Sequence, residues 1–177
     1  MSKDEFVILV DENDRQTGTC EKLEAHRKGL LHRAFSIFLF NKEGELLIQQ
    51  RAIEKYHTGG LWTNTCCSHP RPGEKQEDAL QRKLFQEMGV NSPLTKIFQF
   101  TYSAELDNGL TENELDHVYV GEYDADPNPN PTEVKAWKYA SLSQIKVEME
   151  EDGDQFTPWF KMLIPKLEEH YSALKTS

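Results

Sequence analysis

Cysteine is scarce in this chain: three in 177 residues, an odd number, with two of them adjacent as Cys66 and Cys67. An odd count does not close into a disulfide framework, and a ring between neighbours forces strained geometry. Free thiols in a reducing compartment are the expectation. Cys-x-x-Cys and His-Glu-x-x-His spacings are both missing, as is a glycine-rich dinucleotide fingerprint. No flavin or nicotinamide is therefore expected. Long apolar runs are missing too. The longest, Phe6 to Val10, is too short for a bilayer span or a signal-peptide core, and Met1 to Phe6 carries no cleavage pattern. The expectation is a cytoplasmic protein that meets no membrane. Basic residues are outnumbered, giving a formal charge of −10. Nucleic acid and anionic membranes need a net basic surface and are disfavoured. A small anion remains open if a local cluster of Lys, Arg or metal gathers it.

What is present fits one domain over residues 1–177, with 37% hydrophobic and 10% aromatic residues and enough length for a core. No heptad or apolar interface stripe appears, so a monomer is expected. Phe6 to Val10 reads as a strand before a polar turn at Asp11 to Asp14. Phe35 to Phe40 and Glu45 to Arg51 flank Asn41-Lys-Glu-Gly44 and read as a hairpin in a covered sheet. Glu74 to Met88 is the clearest helix, between Gly73 and Gly89, with Glu74, Glu77 and Asp78 near its start. Ile97 to Tyr102, Leu115 to Tyr123 and Val134 to Tyr139 read as strands. Ser141 caps a helix to Met149, and Thr157-Pro158 opens a C-terminal one. The prolines of Asp124 to Pro131 place that stretch in a surface loop. Strands mixed with a few helices give an α/β or α+β sandwich.

Several polar residues are candidates for chemistry. On a helical wheel Leu80, Leu84 and Met88 form the core stripe, and Glu87 lies about 20° from Leu80. A carboxylate at that place points inward, in a last turn that disfavours negative charge. It takes either Lys83 as an i,i+4 partner or a metal ion. Glu112 and Glu114, two apart on a strand, leave the same face. They are an exposed edge or the two arms of a cation site. His26, His32 and His69 lie in polar or turn-rich stretches, while His57, His117 and His170 read as surface or structural. Imidazoles with carboxylates suit a divalent ion. Lys22, Arg51, Lys55, Arg82 and Lys83 are solvated surface charge or a diphosphate cradle. From these residues alone a metal site is open and its chemistry has no name.

From Ser68 to Val90 the chain resembles a degraded Nudix box: Glu74, Arg82, Leu84, Glu87, Gly89 and Val90 match, while Ser68, Lys83 and Gln86 depart. The resemblance implies a Nudix-type sandwich, a mixed β-sheet flanked by helices. The losses at Lys83 and Gln86 remove carboxylates that hydrolytic members use, which weighs against a nucleotide pyrophosphohydrolase. Trp62 to Pro70, Glu112-Asn-Glu114, His26 with His32, and Thr157-Pro-Trp159 together look like type I isopentenyl-diphosphate Δ-isomerase over nearly the whole chain. That family interconverts isopentenyl and dimethylallyl diphosphate, so the partner implied is a small prenyl diphosphate. By the resemblance, Cys67 and Glu114 with Tyr102 are catalytic. His26, His32, His69, Glu112 and Glu114 hold Mn²⁺, Mg²⁺ or Zn²⁺, and Glu87 holds Mg²⁺ with the diphosphate. Lys22, Arg51, Lys55 and Lys83 bind the diphosphate, and Trp159 lines the prenyl pocket beside Tyr102. Cys66 has no implied role beyond packing. The His26–His32 spacing is one residue shorter than in some members. A zinc-held interaction module using Cys66, Cys67 and His69 is the non-enzymatic alternative.

Overall fold

The computed structural model describes residues 6–55 and 57–176; the start Met1–Glu5 lies outside the described residues. In chain order the elements are β1 (Phe6–Val10), β2 (Gln16–Glu21), α1 (Lys22–Lys28), β3 (His32–Phe40), β4 (Leu46–Arg51), β5 (Trp62–Thr63) and β6 (Cys66–Ser68). They continue with α2 (Gln76–Met88), β7 (Thr95–Glu105), β8 (Thr111–Glu122), β9 (Val134–Ala140), α3 (Leu142–Glu151) and α4 (Pro158–Thr176). A mixed nine-stranded sheet results, flanked by four helices.

Strand β3 is its centre. Nine consecutive residue pairs join it in parallel to β8, from His32 opposite Glu114 to Phe40 opposite Glu122. Parallel strands are covered on both faces, and the alternation of β3 shows how. Phe35, Ile37 and Leu39 pack in one core with Leu80, Leu84 and Met88 of α2. Phe38 and Phe40 pack in the other with Phe160, Leu163 and Leu167 of α4. Successive side chains of a strand leave opposite faces, so one apolar run feeds both layers.

The expected hairpin between residues 35 and 51 forms only at its tip. The turn is closed by Asn41 N–H to the Glu45 carbonyl (2.9 Å), but Phe40–Leu46 is the only register pair linking β3 and β4. Beyond it β3 goes to β8 and β6, while β4 pairs with β9 from Leu46 opposite Ala140 onward. The two strands part, and the gap between them holds β5 and β6.

Helix α2 begins at Gln76, two residues later than the Glu74 start expected. Glu74 stays outside because its carboxylate takes both Arg82 donors, each at 2.8 Å, and the Arg71 N–H at 2.9 Å. The other end is fixed by Gly89 in the left-handed region (φ 67). A Cβ there would collide with the Asn128 carbonyl oxygen. The proline-rich loop comes this close because Asn128 and Asn130 N–H groups bond the Met88 and Glu87 carbonyls, each at 2.9 Å. These are orphan acceptors of a helix end, so the loop is also a helix cap.

Candidate active site

The site forms where β3, β6 and β8 start or end, roofed by α1 and α4. On β8 the side chains of Glu112, Glu114 and Asp116 follow the two-residue period and all are buried (3%, 7% and 1% exposed). The exposed-edge reading of the acidic pair therefore fails. Opposite them stand imidazoles. His26 Nε2 is 3.1 Å from Glu112 Oε1. His32 and His69 Nε2 are 3.2 and 2.9 Å from Glu114 Oε2, and 3.2 Å from each other.

The other ring nitrogens settle the proton positions. His26 Nδ1 lies 2.7 Å from the Lys22 carbonyl and His32 Nδ1 2.9 Å from the Leu30 carbonyl. A carbonyl only accepts, so both Nδ1 atoms donate and each neutral ring aims its Nε2 lone pair at a carboxylate. Lone pairs meeting anions need a proton or a cation between them. The ring and carboxyl protonation balances follow this. Burial opposes a charged His32, but the Glu114 bond overcomes it and raises its pKa. Burial would raise Glu114, but the bonds from His32 and His69 hold it well below the carboxylate range. Glu112 is pushed well up by burial and by the Glu114 charge. His26 moves down, chiefly through burial, and burial takes His69 to about 3.

A divalent cation fits this donor set. The ligand atoms of His26, His32, His69 and Glu114 lie within 4.8 Å of one another. Glu112 Oε2 is buried without a hydrogen-bond partner among the described residues. His26, His57 and Glu112 form a second such group, and imidazoles with carboxylates and no thiolate suit a divalent ion in a nitrogen and oxygen environment.

Beside the cluster lies a cavity of about 60 Å³, partly open to solvent. Cys67, His69, Glu87, Tyr102, Glu112, Glu114 and Trp159 line it, with the cations Lys22, Arg51, Lys55 and Lys83. His26 and His32 sit behind its wall, fully buried. Strand alternation separates the two cysteines. Cys66 enters the core beneath α2, and Cys67 points to the α4 side. Among the described residues neither joins a metal-ligand group, and the zinc–cysteine alternative finds no support. Burial lifts the Cys67 thiol above its usual range, so it holds its proton. The Tyr102 hydroxyl donates to Glu114 Oε1 (2.8 Å), and burial, then the Glu114 charge, keeps it protonated.

Trp159 is 3% exposed. The Arg51 guanidinium carbon lies 5.6 Å from the centre of its ring. Glu87 projects from α2 into the cavity wall. It accepts from Gln49 Nε2 (3.0 Å) and stands 3.7 Å from Lys83 Nζ. The ion pair considered from sequence is present, and the carboxylate still faces the cavity.

Four participants escaped the sequence reading. His57, expected to be surface or structural, is 3% exposed and stands edge-on to Trp159 (5.8 Å, 82°). Burial, then Arg51, lowers it to about 2. Its ring is set by Thr58 Oγ1 at 2.7 Å. Thr58 adopts φ 51, uncommon for a β-branched residue, and its N–H bonds Asp107 Oδ1 (3.1 Å). Asp116 accepts from Ser36 Oγ (2.8 Å) beneath Glu114; its place two residues further along the strand was the available signal. Gln49, which donates to Glu87, and Glu133, ion-paired with Lys55 of the cavity wall, carried none.

The NUDIX domain family model matches residues 30–160. The isopentenyl-diphosphate Delta-isomerase of Pectobacterium atrosepticum is 51% identical over 170 residues, 96% of this chain and 95% of that one. The protein of that name from Serratia proteamaculans is 46% identical over 164 residues, 93% and 92% of the two chains. Among solved structures, DR0079 from Deinococcus radiodurans superposes with a TM-score of 0.75 at 19% identity, covering 92% of this chain and 98% of that one. A MutT protein from Methanosarcina mazei gives 0.65 at 17%, covering 78% and 94%. At such identities the structural likeness is one of fold.

Proposed function

The chain belongs to the NUDIX domain family and, within it, to the isopentenyl-diphosphate Δ-isomerases, and on that premise we propose how it isomerises its substrate. The observation that carries the reading is one cavity lined by a thiol, a carboxylate–tyrosine pair, an indole and four cations. Moving an unactivated double bond requires a proton gained at the terminal alkene carbon and one lost two carbons away. The tertiary carbocation between these steps is destroyed by water or by a nucleophile.

Cys67 is protonated at neutral pH and half-buried at the cavity wall, which suits a proton donor or shuttle. Glu114, with the Tyr102 hydroxyl on its other oxygen, is the second proton-transfer group. Trp159 presents a π-face to the cation without a lone pair to attack it, an interaction worth about 2 kcal/mol when desolvated. Lys22, Arg51, Lys55 and Lys83 bind the diphosphate, and that remote binding energy positions the alkene. His26, His32, His69, Glu112 and Glu114 would hold one divalent ion, and Glu87 would hold Mg²⁺ alongside the diphosphate. Bound metal supplies fixed positive charge that keeps Glu114 ionised and in place. Lys83 and Gln86 stand where hydrolytic relatives carry acids, so attack of water on the diphosphate is not part of this reading.

The same reading takes the chain as one catalytic domain over residues 1–177, a monomer acting in the cytoplasm on a small prenyl diphosphate. Among the described residues no helix is long and apolar enough to cross a membrane. The test is proton NMR of isopentenyl diphosphate with metal-loaded protein in D₂O, against an EDTA-stripped control. The expected result is the dimethylallyl isomer carrying deuterium, in the metal-loaded sample only. A folded, metal-loaded sample that leaves the substrate unchanged refutes the reading.

A further inference from the structure

Four like charges gathered at one cavity repel each other. Lys22 shows the strain: burial lowers its pKa first, and Lys55 and Lys83 lower it further. Besides Glu112 and Glu114 on the imidazole side of the cavity, two carboxylates stand against the lysines themselves. Glu87, beside Lys83, already has a place in the proposed chemistry. The other is Glu133, which ends the proline-rich loop just before β9. Its carboxylate forms an ion pair with Lys55, the two side chains 21% and 20% exposed. It also lines a cleft next to the cavity that Lys22 and Lys83 share. Burial alone would raise the Glu133 pKa, but Lys55, then Lys83 and Lys22, hold it down.

The pairing is built in by the backbone. Glu133 N–H bonds the Asn130 carbonyl (2.9 Å), and the Glu133 carbonyl accepts from Ala52 N–H (3.0 Å). Lys55 N–H in turn bonds the Ala52 carbonyl (3.2 Å). One junction therefore sets both partners, and it uses no side-chain atom of Glu133. An ammonium is a compact charge on a flexible stem, able to change partners by small rotations. An arriving diphosphate meets Lys55 already engaged by an anion of the same sign as itself.

We infer that Glu133 is the resident counter-ion of the cationic cradle: it holds Lys55 while no diphosphate is bound, yields it to a phosphate oxygen on binding, and so limits how tightly diphosphates are retained. The inference rests on the proposed diphosphate seat. It assigns Glu133 a positioning and specificity role, since the carboxylate acts through Lys55. Its use is to keep the unliganded cluster neutralised and to keep product release from becoming slow.

The sign of one substitution separates this from a scaffolding role. If Glu133 only props Lys55 in its working position, Glu133→Gln weakens anion binding. As a displaced counter-ion, its neutralisation strengthens binding. The probe is inorganic pyrophosphate with Mg²⁺, followed by calorimetry on the full chain at low ionic strength. The dissociation constant should fall about three- to tenfold in Glu133→Gln, and Glu133→Asp, which keeps the charge, should return it towards wild type. The KM for isopentenyl diphosphate should fall in parallel. The unliganded Glu133→Gln protein should melt lower, yet gain more from pyrophosphate than wild type does. Equal or weaker pyrophosphate binding by Glu133→Gln overturns the inference while leaving the diphosphate seat standing. A wild-type protein that binds no pyrophosphate overturns the seat and the inference together.

Discussion

Replacing Glu114 with glutamine removes a charge without removing volume, and the geometry fixes what is lost. Glu114 Oε2 serves His32 and His69 at 3.2 and 2.9 Å, and Oε1 takes the Tyr102 hydroxyl at 2.8 Å. Removing one partner of such a buried ionic group costs about 3–5 kcal/mol. Here imidazoles that shed a proton recover part of that, leaving about 2–4 kcal/mol. For a chain of this size each kcal/mol shifts the melting temperature by about 2–4 °C, so the metal-free variant should melt roughly 5–15 °C lower at pH 7. The folded-state pKa of Glu114 is depressed. Its contribution is therefore complete above the ordinary carboxylate range and is lost as pH falls through the depressed value. The gap between wild type and variant should persist at pH 7 and close in acid. Glu112 has the opposite sign, because burial and its neighbour raise it. Glu112→Gln should leave the metal-free chain as stable or more so at neutral pH, while metal affinity falls in both variants. Calorimetric melting of EDTA-treated proteins, with metal content measured on the reloaded ones, tests the pair. Equal melting temperatures for wild type and Glu114→Gln would refute the reasoning, since that is how a solvated edge carboxylate behaves.

Cys67→Ala should abolish isomer formation by NMR, whereas Cys66→Ala should cost about 1 kcal/mol of stability and keep most turnover; equal loss of activity in both variants would count against Cys67 alone. Gly89→Ala should destabilise by about 2 kcal/mol or more, from the left-handed backbone and the Asn128 carbonyl. Urea unfolding measures it, and a change under about 0.5 kcal/mol would mean that the Asn128–Asn130 cap is not fixed to the helix end. Trp159→Phe should retain more kcat than Trp159→Leu, because phenylalanine keeps a π-face; the same kcat in both would reduce Trp159 to a packing residue.

The elements legible in the sequence are those whose signal is local. Helix α2 shows its stripe of Leu80, Leu84 and Met88, and the three residues are buried as the wheel requires. Ser141 caps α3 by accepting the Gln144 N–H at 3.1 Å. Segments that lack a period were missed. Strand β2 is an edge strand with no fully buried residue, α1 has seven residues, and β5 and β6 have two and three. Pairing was missed for a different reason. The hydrophobic pattern of residues 35–51 identifies two strands, and the turn between them suggests a hairpin, yet the long partner of β3 is β8, about eighty residues away. A turn signal reports which chain ends are close, and the bonds along a strand are set by tertiary packing.

The acidic pair shows the same division within the site. Spacing puts Glu112 and Glu114 on one face, but whether that face meets water depends on residues far along the chain. His26 and His32 turn their Nε2 atoms inward because backbone carbonyls of Lys22 and Leu30 hold their Nδ1 protons. That decision is local in structure and silent in sequence, since no side-chain type marks a carbonyl as free to accept. Resemblance to a family supplied what spacing lacked. The adjacent cysteines reverse the case: once Cys66 to Ser68 is a strand, alternation alone gives one thiol to the core beneath α2 and the other to the cavity. A pair that suggests a metal or a disulfide by composition is divided by geometry into a core residue and a thiol that lines the cavity. The two members of the doublet face opposite layers of the fold.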